Sequence, residues 1–272
     1  MLRRLREFGA LLAPPVVAAL ALGGCASIDG VTTTMLADRS VEFVLKGRRA
    51  PAVVFENGLG GRLEWWAKIL PEISQETTTF AYNRPGTGRS APASTPRDGE
   101  TIIEELRRNL REKGVPPPYI LVGHSLGGLY MQLFARRYPL EVAGLVLVDS
   151  THPEQMKGVG SYENWPGWFK VMFDVSTSAA AQQEFHEIPK TGAAILALPP
   201  FTGKPAVVLS AKQPMTESSD LARDANAKRV DILRLHPGAR QIWVDSGHGI
   251  PLEKPDAVIA AIRQVLKDVR NR

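Results

Sequence analysis

With 272 residues, the chain is of ordinary size for one α/β sheet covered by helices on both faces, and it can bury a core without disulfides or metal. A composition of 44% hydrophobic and 22% charged residues excludes a disordered chain. The net charge of +5 is spread among acidic residues rather than gathered on one run, which excludes nucleic acid as the expected partner.

The first 24 residues read as a targeting segment. Arg3, Arg4 and Arg6 precede an apolar stretch over residues 10–22. That stretch is shorter than the roughly 20 apolar residues a membrane span requires, and it matches the charged and apolar regions of a secretory signal. It ends in Leu22-Gly23-Gly24-Cys25-Ala26-Ser27, which resembles a bacterial lipobox. The resemblance implies acylation of Cys25, the sole cysteine, and a lipid-anchored protein of the cell envelope. Ala26 by the same resemblance points to the outer membrane of a Gram-negative cell. Cleavage at a nearby small residue would instead leave a periplasmic or secreted chain.

Downstream, strand and helix patterns alternate. Residues 41–46 alternate in polarity and stop at Gly47, as a strand does before a turn. Residues 52–55 are a short apolar run suited to a buried parallel strand. Helical spacing over 63–73 offers Trp65, Trp66, Ile69 and Leu70 to a core, and β-branched and aromatic residues make 77–82 a strand. Residues 83–99, rich in Pro, Gly and Ser, are loop. An amphipathic helix follows over 101–113 and closes at Gly114.

Further strands are expected at 119–123, 144–149, 206–210 and 241–245, with helices over 126–138, 218–235 and 254–270. This alternation predicts an α/β fold built on a mostly parallel, doubly wound sheet. The domain layout is a core in two parts, 40–151 and 204–272, interrupted by 152–203. That insertion lacks a strand pattern and carries Trp165, Trp168, Phe169, Phe173 and Phe185, which predicts a helical cap over the sheet's carboxyl edge.

Gly123-His124-Ser125-Leu126-Gly127 fits G-x-S-x-G directly after the apolar run Tyr119-Ile120-Leu121-Val122 and directly before a helix. A strand–turn–helix context is what an exposed nucleophilic serine requires, with small neighbours sparing a strained turn from clashes. The chain here resembles the α/β-hydrolase superfamily, its esterases and lipases in particular. Asn57-Gly58-Leu59-Gly60-Gly61 resembles the superfamily's oxyanion loop, with Asn57 in place of the usual histidine. The run from Asn83 to Ser90, N-R-P-G-T-G-R-S, resembles a second glycine-rich loop of the same superfamily.

A serine hydroxyl needs a base to become a nucleophile. Of the five histidines, His248 lies last in the chain, in the glycine-flanked loop Ser246-Gly247-His248 after a strand. That position fits the order Ser, acid, His. His124, His152, His186 and His236 are expected to be structural or surface residues.

The resemblance implies an acid near Gln213, which is an amide and carries no charge. Asp149, ending the strand after the elbow helix, is the expected acid, with Glu217 and Asp220 in reserve. The oxyanion donors implied by the superfamily are the backbone N–H groups of Leu59 and Leu126.

These expectations add up to a serine hydrolase that cleaves a carboxylic ester or related acyl bond through an acyl-serine intermediate. The substrate is expected to be a small molecule carrying an apolar group. Neither an organic cofactor nor a metal is implied. The alternatives are an acyltransferase or perhydrolase on the same residues, or a lipid-anchored binding protein whose catalysis has lapsed.

Overall fold

The computed structural model describes residues 28–36, 38–213 and 219–272. The expected export segment, Cys25 and Glu217 lie outside the described residues. The strands are β1 (Thr32–Leu36), β2 (Arg39–Lys46), β3 (Ala52–Glu56), β4 (Thr79–Tyr82), β5 (Tyr119–His124), β6 (Val142–Val148), β7 (Ala206–Ala211) and β8 (Arg240–Val244). They form one sheet in the order β1-β2-β4-β3-β5-β6-β7-β8. β2 is antiparallel to both of its neighbours, and every later pairing is parallel.

The helices are α1 (Leu70–Ser74), α2 (Gly99–Glu112), α3 (Leu126–Arg137), α4 (Gly167–Ser176), α5 (Ala179–His186), α6 (Ile188–Leu196), α7 (Asp220–Asp231), α8 (Ile250–Glu253) and α9 (Pro255–Arg270). Successive strand residues serve opposite cores, as the pleat dictates. Tyr119 and Leu121 of β5 pack with α2 and α3, whereas Ile120 and Val122 pack with α1, α8 and α9. Both faces of the sheet are therefore covered, and the fold is the mostly parallel doubly wound class that the alternation predicts. No described helix is long and apolar enough to cross a membrane.

Three elements depart from the sequence pattern for local physical reasons. β1, in register with β2 from Thr32↔Phe43 to Leu36↔Arg39, has only Leu36 buried, so it carries no apolar alternation to read. The helix expected over 63–73 is a 3₁₀ turn, Leu63–Trp66, followed by α1. Pro71 falls in the first turn of α1, where its missing N–H costs nothing; inside a longer helix it would break the ladder. α2 starts earlier than expected because the Asp98 side chain accepts from the Thr101 N–H at 2.9 Å.

Between β6 and β7 the chain forms α4, α5 and α6 with two short 3₁₀ turns. Its aromatic residues pack on one another, with ring centroids 4.5 Å apart for Trp165–Phe169 and for Phe173–Phe185, and Phe173 and Phe185 join the core on the α2 and α3 side of the sheet. Tyr162 joins the edge of this cluster against Phe185 at 5.7 Å. The segment touches the loops leaving β3 and β4: a Cβ on Gly60 would sit 3.8 Å from Ala181 Cβ, and Glu184 pairs with Arg84. Both contacts lie at the carboxyl ends of parallel strands, the edge where open α/β sheets bind ligands.

Candidate active site

Ser125 stands in the turn between β5 and α3 with φ 52° and ψ −122°, a strained region for a residue with a side chain. The turn closes because its neighbours are glycines. A Cβ on Gly123 would meet Gly127 O at 2.5 Å, and one on Gly127 would press on the Glu56 and Asn57 carbonyls. Backbone bonds then lock the strain in place. Ser125 N–H donates to Val148 O at 3.1 Å, while Ser125 O accepts from Gly128 N at 2.9 Å and Thr151 N at 3.0 Å.

The structure brings the three distant side chains together. His248 Nε2 lies 2.9 Å from Ser125 Oγ, and His248 Nδ1 lies 2.5 Å from Asp149 Oδ2. Asp149, fully buried at its side chain, enters from the end of β6 with φ 39°. Its carboxylate also accepts Ala211 N–H at 3.1 Å on Oδ1 and a two-armed pair from Arg229, Nε to Oδ1 at 2.8 Å and Nη2 to Oδ2 at 3.0 Å. Burial opposes the charge on Asp149. The hydrogen bond and charge of His248, with Arg229 beside them, outweigh it and hold the carboxyl well below the usual carboxylate range.

Asp220, one of the two reserve acids, lies elsewhere. It begins α7, largely exposed, and pairs with Arg223. Gln213 is exposed, and its Nε2 donates to Asp245 Oδ1 at 3.3 Å.

The other histidines have structural partners. His124 is buried against the site: its Nε2 meets the His248 carbonyl at 2.9 Å, and its ring lies 4.9 Å from both Trp65 and His248. Burial first, then the neighbouring His248, pushes its pKa down to about 3, so it is neutral and donates from Nε2 to that carbonyl. It thereby supports the backbone of the loop that presents His248. His152 Nε2 faces Asp231 at 3.1 Å, His236 Nε2 faces Gln132 Oε1 at 3.1 Å, and His186 packs edge-on to Tyr162 at 5.4 Å.

Leu126 opens α3 directly after Ser125, so its N–H belongs to the first turn, where helix donors have no intrahelical acceptor. The Asn57–Gly61 loop leaves β3 beside it. A Cβ on Gly58 would stand 3.2 Å from Ser125 Cβ, which brings the Leu59 peptide close to the serine. The loop is braced by Asn57 Nδ2 donating to Tyr82 O at 2.9 Å, by the Gly61 N–H to Gly58 O bond at 3.1 Å, and by Arg84.

Sequence reasoning assigned no role to Arg229, Arg84, Glu56 or Glu184. Arg84 stands in the quoted N-R-P-G run, but Arg229 is an ordinary helix arginine, and only its contact with Asp149 marks it out.

Residues 51–220, more than half of the chain, match the model of the alpha/beta hydrolase fold family. A stretch of 137 residues is 31% identical to human (lyso)-N-acylphosphatidylethanolamine lipase, covering 47% of this chain and 38% of that one. The chain spans less than half the length of the curated relatives it matches first. Among solved structures, a membrane phospholipase A described as a bacterial virulence factor superposes with a TM-score of 0.68 at 16% identity, covering 94% of this chain and 92% of that one. The enol-lactonase of Burkholderia xenovorans LB400 superposes with a TM-score of 0.59 at 19% identity, covering 87% and 100%. Such identities speak to the fold alone. The serine on its glycine-walled turn, the imidazole above it and the family match agree: this chain belongs to the alpha/beta hydrolase fold family.

Proposed function

We propose that the protein is a serine hydrolase that cleaves carboxylic esters through an acyl-serine intermediate, with Ser125 as nucleophile, His248 as general base and Asp149 as its partner. The observation that carries this reading is the unbroken hydrogen-bonded line from Ser125 Oγ through His248 to Asp149. His248 Nε2 takes the hydroxyl proton as Oγ attacks the ester carbonyl. The carbonyl oxygen becomes an oxyanion that the N–H groups of Leu59 and Leu126 meet, a stabilisation worth about 3–4 kcal/mol per donor. The intermediate collapses as His248 returns the proton to the departing alkoxide. Water then attacks the acyl-serine, giving its proton to the same imidazole, and Ser125 recovers its own on release of the acid. Asp149 keeps the Nδ1 proton in place and stabilises the imidazolium.

The likeness to a human lipase and to an enol-lactonase supports acyl-bond hydrolysis, and the aromatic cluster of 162–185 supports an apolar group on the substrate. In this reading the 152–203 segment is a cap over the site. The protein works at the cell envelope, held by an acyl anchor on Cys25. A fluorophosphonate probe tests the chemistry: wild type labels at Ser125 and hydrolyses p-nitrophenyl esters of graded acyl length. Ser125→Ala is expected to abolish labelling and lower turnover by up to about 10⁶-fold. A wild-type chain that neither labels nor turns over esters would instead make it a binding protein.

A further inference from the structure

Under the oxyanion loop lies a buried charge cluster. Arg84, 2% exposed, uses all five guanidinium donors. Nε donates to Glu184 Oε1 at 2.9 Å and Nη2 to Glu184 Oε2 at 2.8 Å, while Nη1 donates to Glu56 Oε1 at 2.6 Å. The two remaining donors go to main-chain carbonyls of the oxyanion loop: Nη1 to Asn57 O at 2.6 Å and Nη2 to Gly58 O at 2.7 Å.

The geometry of the peptide gives these two bonds their meaning. The Gly58 carbonyl and the Leu59 N–H belong to one planar trans unit and point in opposite directions. A cation that pins Gly58 O from beneath therefore aims Leu59 N–H upward. The Asn57 carbonyl does the same for the Gly58 N–H. Glycine at 58 has no side chain to hold this plane, and the close approach to Ser125 leaves little room for one. Within the loop the Gly58 carbonyl accepts only the neutral Gly61 N–H at 3.1 Å, and Arg84 adds the shorter, charged bond from outside.

Glu184 makes the restraint depend on a second segment. It sits on α5, between β6 and β7, and is buried with Arg84. Glu56, from the end of β3, is the second anchor; it also accepts from Tyr82 Oη at 2.7 Å and from Asn57 N–H at 3.1 Å. A planar fork held on two sides by carboxylates has one orientation, and lysine cannot reproduce it.

We propose that Arg84 is the positioning residue of the oxyanion hole, setting the direction of the Leu59 N–H through the Gly58 carbonyl, and that Glu184 couples this setting to the helical segment over the site. The proposal deepens the serine-hydrolase reading and rests on it. Its consequence is that the packing of α5 bears on transition-state stabilisation rather than on substrate affinity alone.

The test is Arg84→Lys and Glu184→Gln in the full chain, with active sites counted by end-point fluorophosphonate titration so that misfolded protein drops out. The substrate is p-nitrophenyl butyrate, and the probe of the oxyanion hole is an alkyl trifluoromethyl ketone, whose adduct oxygen occupies it. For Arg84→Lys, kcat per titrated site should fall about 10- to 100-fold with KM within about 3-fold, part of the loss known for deleting a donor outright. The ketone's Ki should rise by the factor that kcat/KM falls, because both report the same oxygen.

Glu184→Gln leaves one acceptor for two donors of the fork and should lower kcat by about 3- to 10-fold in the same pattern. It carries the test alone if the lysine variant does not fold. A staple that only holds the fold predicts otherwise: thermal stability lowered, but kcat per titrated site and ketone Ki unchanged in the variants that fold. That result would overturn the proposal while leaving the serine-hydrolase reading intact. A wild type that neither labels nor turns over ester would overturn both.

Discussion

Asp149→Asn separates the charge of this side chain from its shape. Four donors converge on its two oxygens: Arg229 Nε and Nη2, the Ala211 N–H and His248 Nδ1. An asparagine offers one acceptor oxygen and an NH₂ group. With oxygen in the Oδ1 place, it keeps Ala211 and Arg229 Nε but turns an N–H toward His248. The imidazole must then accept at Nδ1 and carry its proton on Nε2, facing Ser125, where it cannot act as a base.

The opposite flip drives NH₂ against the Ala211 N–H, a main-chain donor fixed in β7 that cannot turn away. The first flip therefore prevails. Its expected cost is about 10⁴-fold in kcat, the size of the wrong-tautomer effect in a comparable triad. Arg229 is left without its carboxylate, which costs about 2–3 kcal/mol, at or below the low end for breaking a buried pair because Arg229 remains 15% exposed. Turnover of p-nitrophenyl butyrate per titrated site, together with urea unfolding, reads both effects. Activity within about 10-fold of wild type in a folded variant would refute the assignment of Asp149 and the tautomer argument with it.

Other expectations follow from the same structure. Burial, with Arg136 nearby, pushes the pKa of His236 from 6.5 down to about 3, so the unfolded chain binds this proton first. The stability His236 contributes is full above its unfolded pKa and drains away as pH falls, by about 2 kcal/mol between about pH 7 and pH 5. Urea unfolding at the two pH values should show His236→Gln losing that much less than wild type, and equal losses in the two chains would contradict the burial argument. Glu56, whose pKa burial raises, acts with the opposite sign in both proteins and so cancels in this comparison. For the anchor, wild type expressed in a Gram-negative host should take up labelled palmitate and partition with membranes. Cys25→Ser should do neither, and a membrane-bound, unlabelled wild type would refute acylation.

Local chemistry made much of the architecture legible in advance. Strand and helix periods and glycine punctuation are short-range properties, so β3, β5, β6 and α3 fall close to where their patterns place them. The turn carrying Ser125 was readable for the same reason: its glycines and its strand–helix context occupy a few consecutive residues. Failures at short range also had short-range causes, such as the exposed β1 and the proline that splits the helix expected over 63–73.

What no pattern in the sequence could decide is which distant charges meet. His248 reaches Ser125 across 123 residues, and Arg229 reaches Asp149 across 80. The choice among Asp149, Glu217 and Asp220 as the carboxylate beside His248 was open in the sequence because all three lie before the histidine, as the chain order requires. Among the described residues the sheet order sets Asp149 beside His248: β6, β7 and β8 are neighbours in turn, so the end of β6 brings Asp149 under the loop after β8, while Asp220 faces solvent. Arg84 lies 100 residues from Glu184, and nothing along the chain marks them as partners. Periodicity is written in neighbouring residues. Electrostatic pairing in a buried site depends on three-dimensional distance and on the loss of water, and both come into being only when the chain has folded.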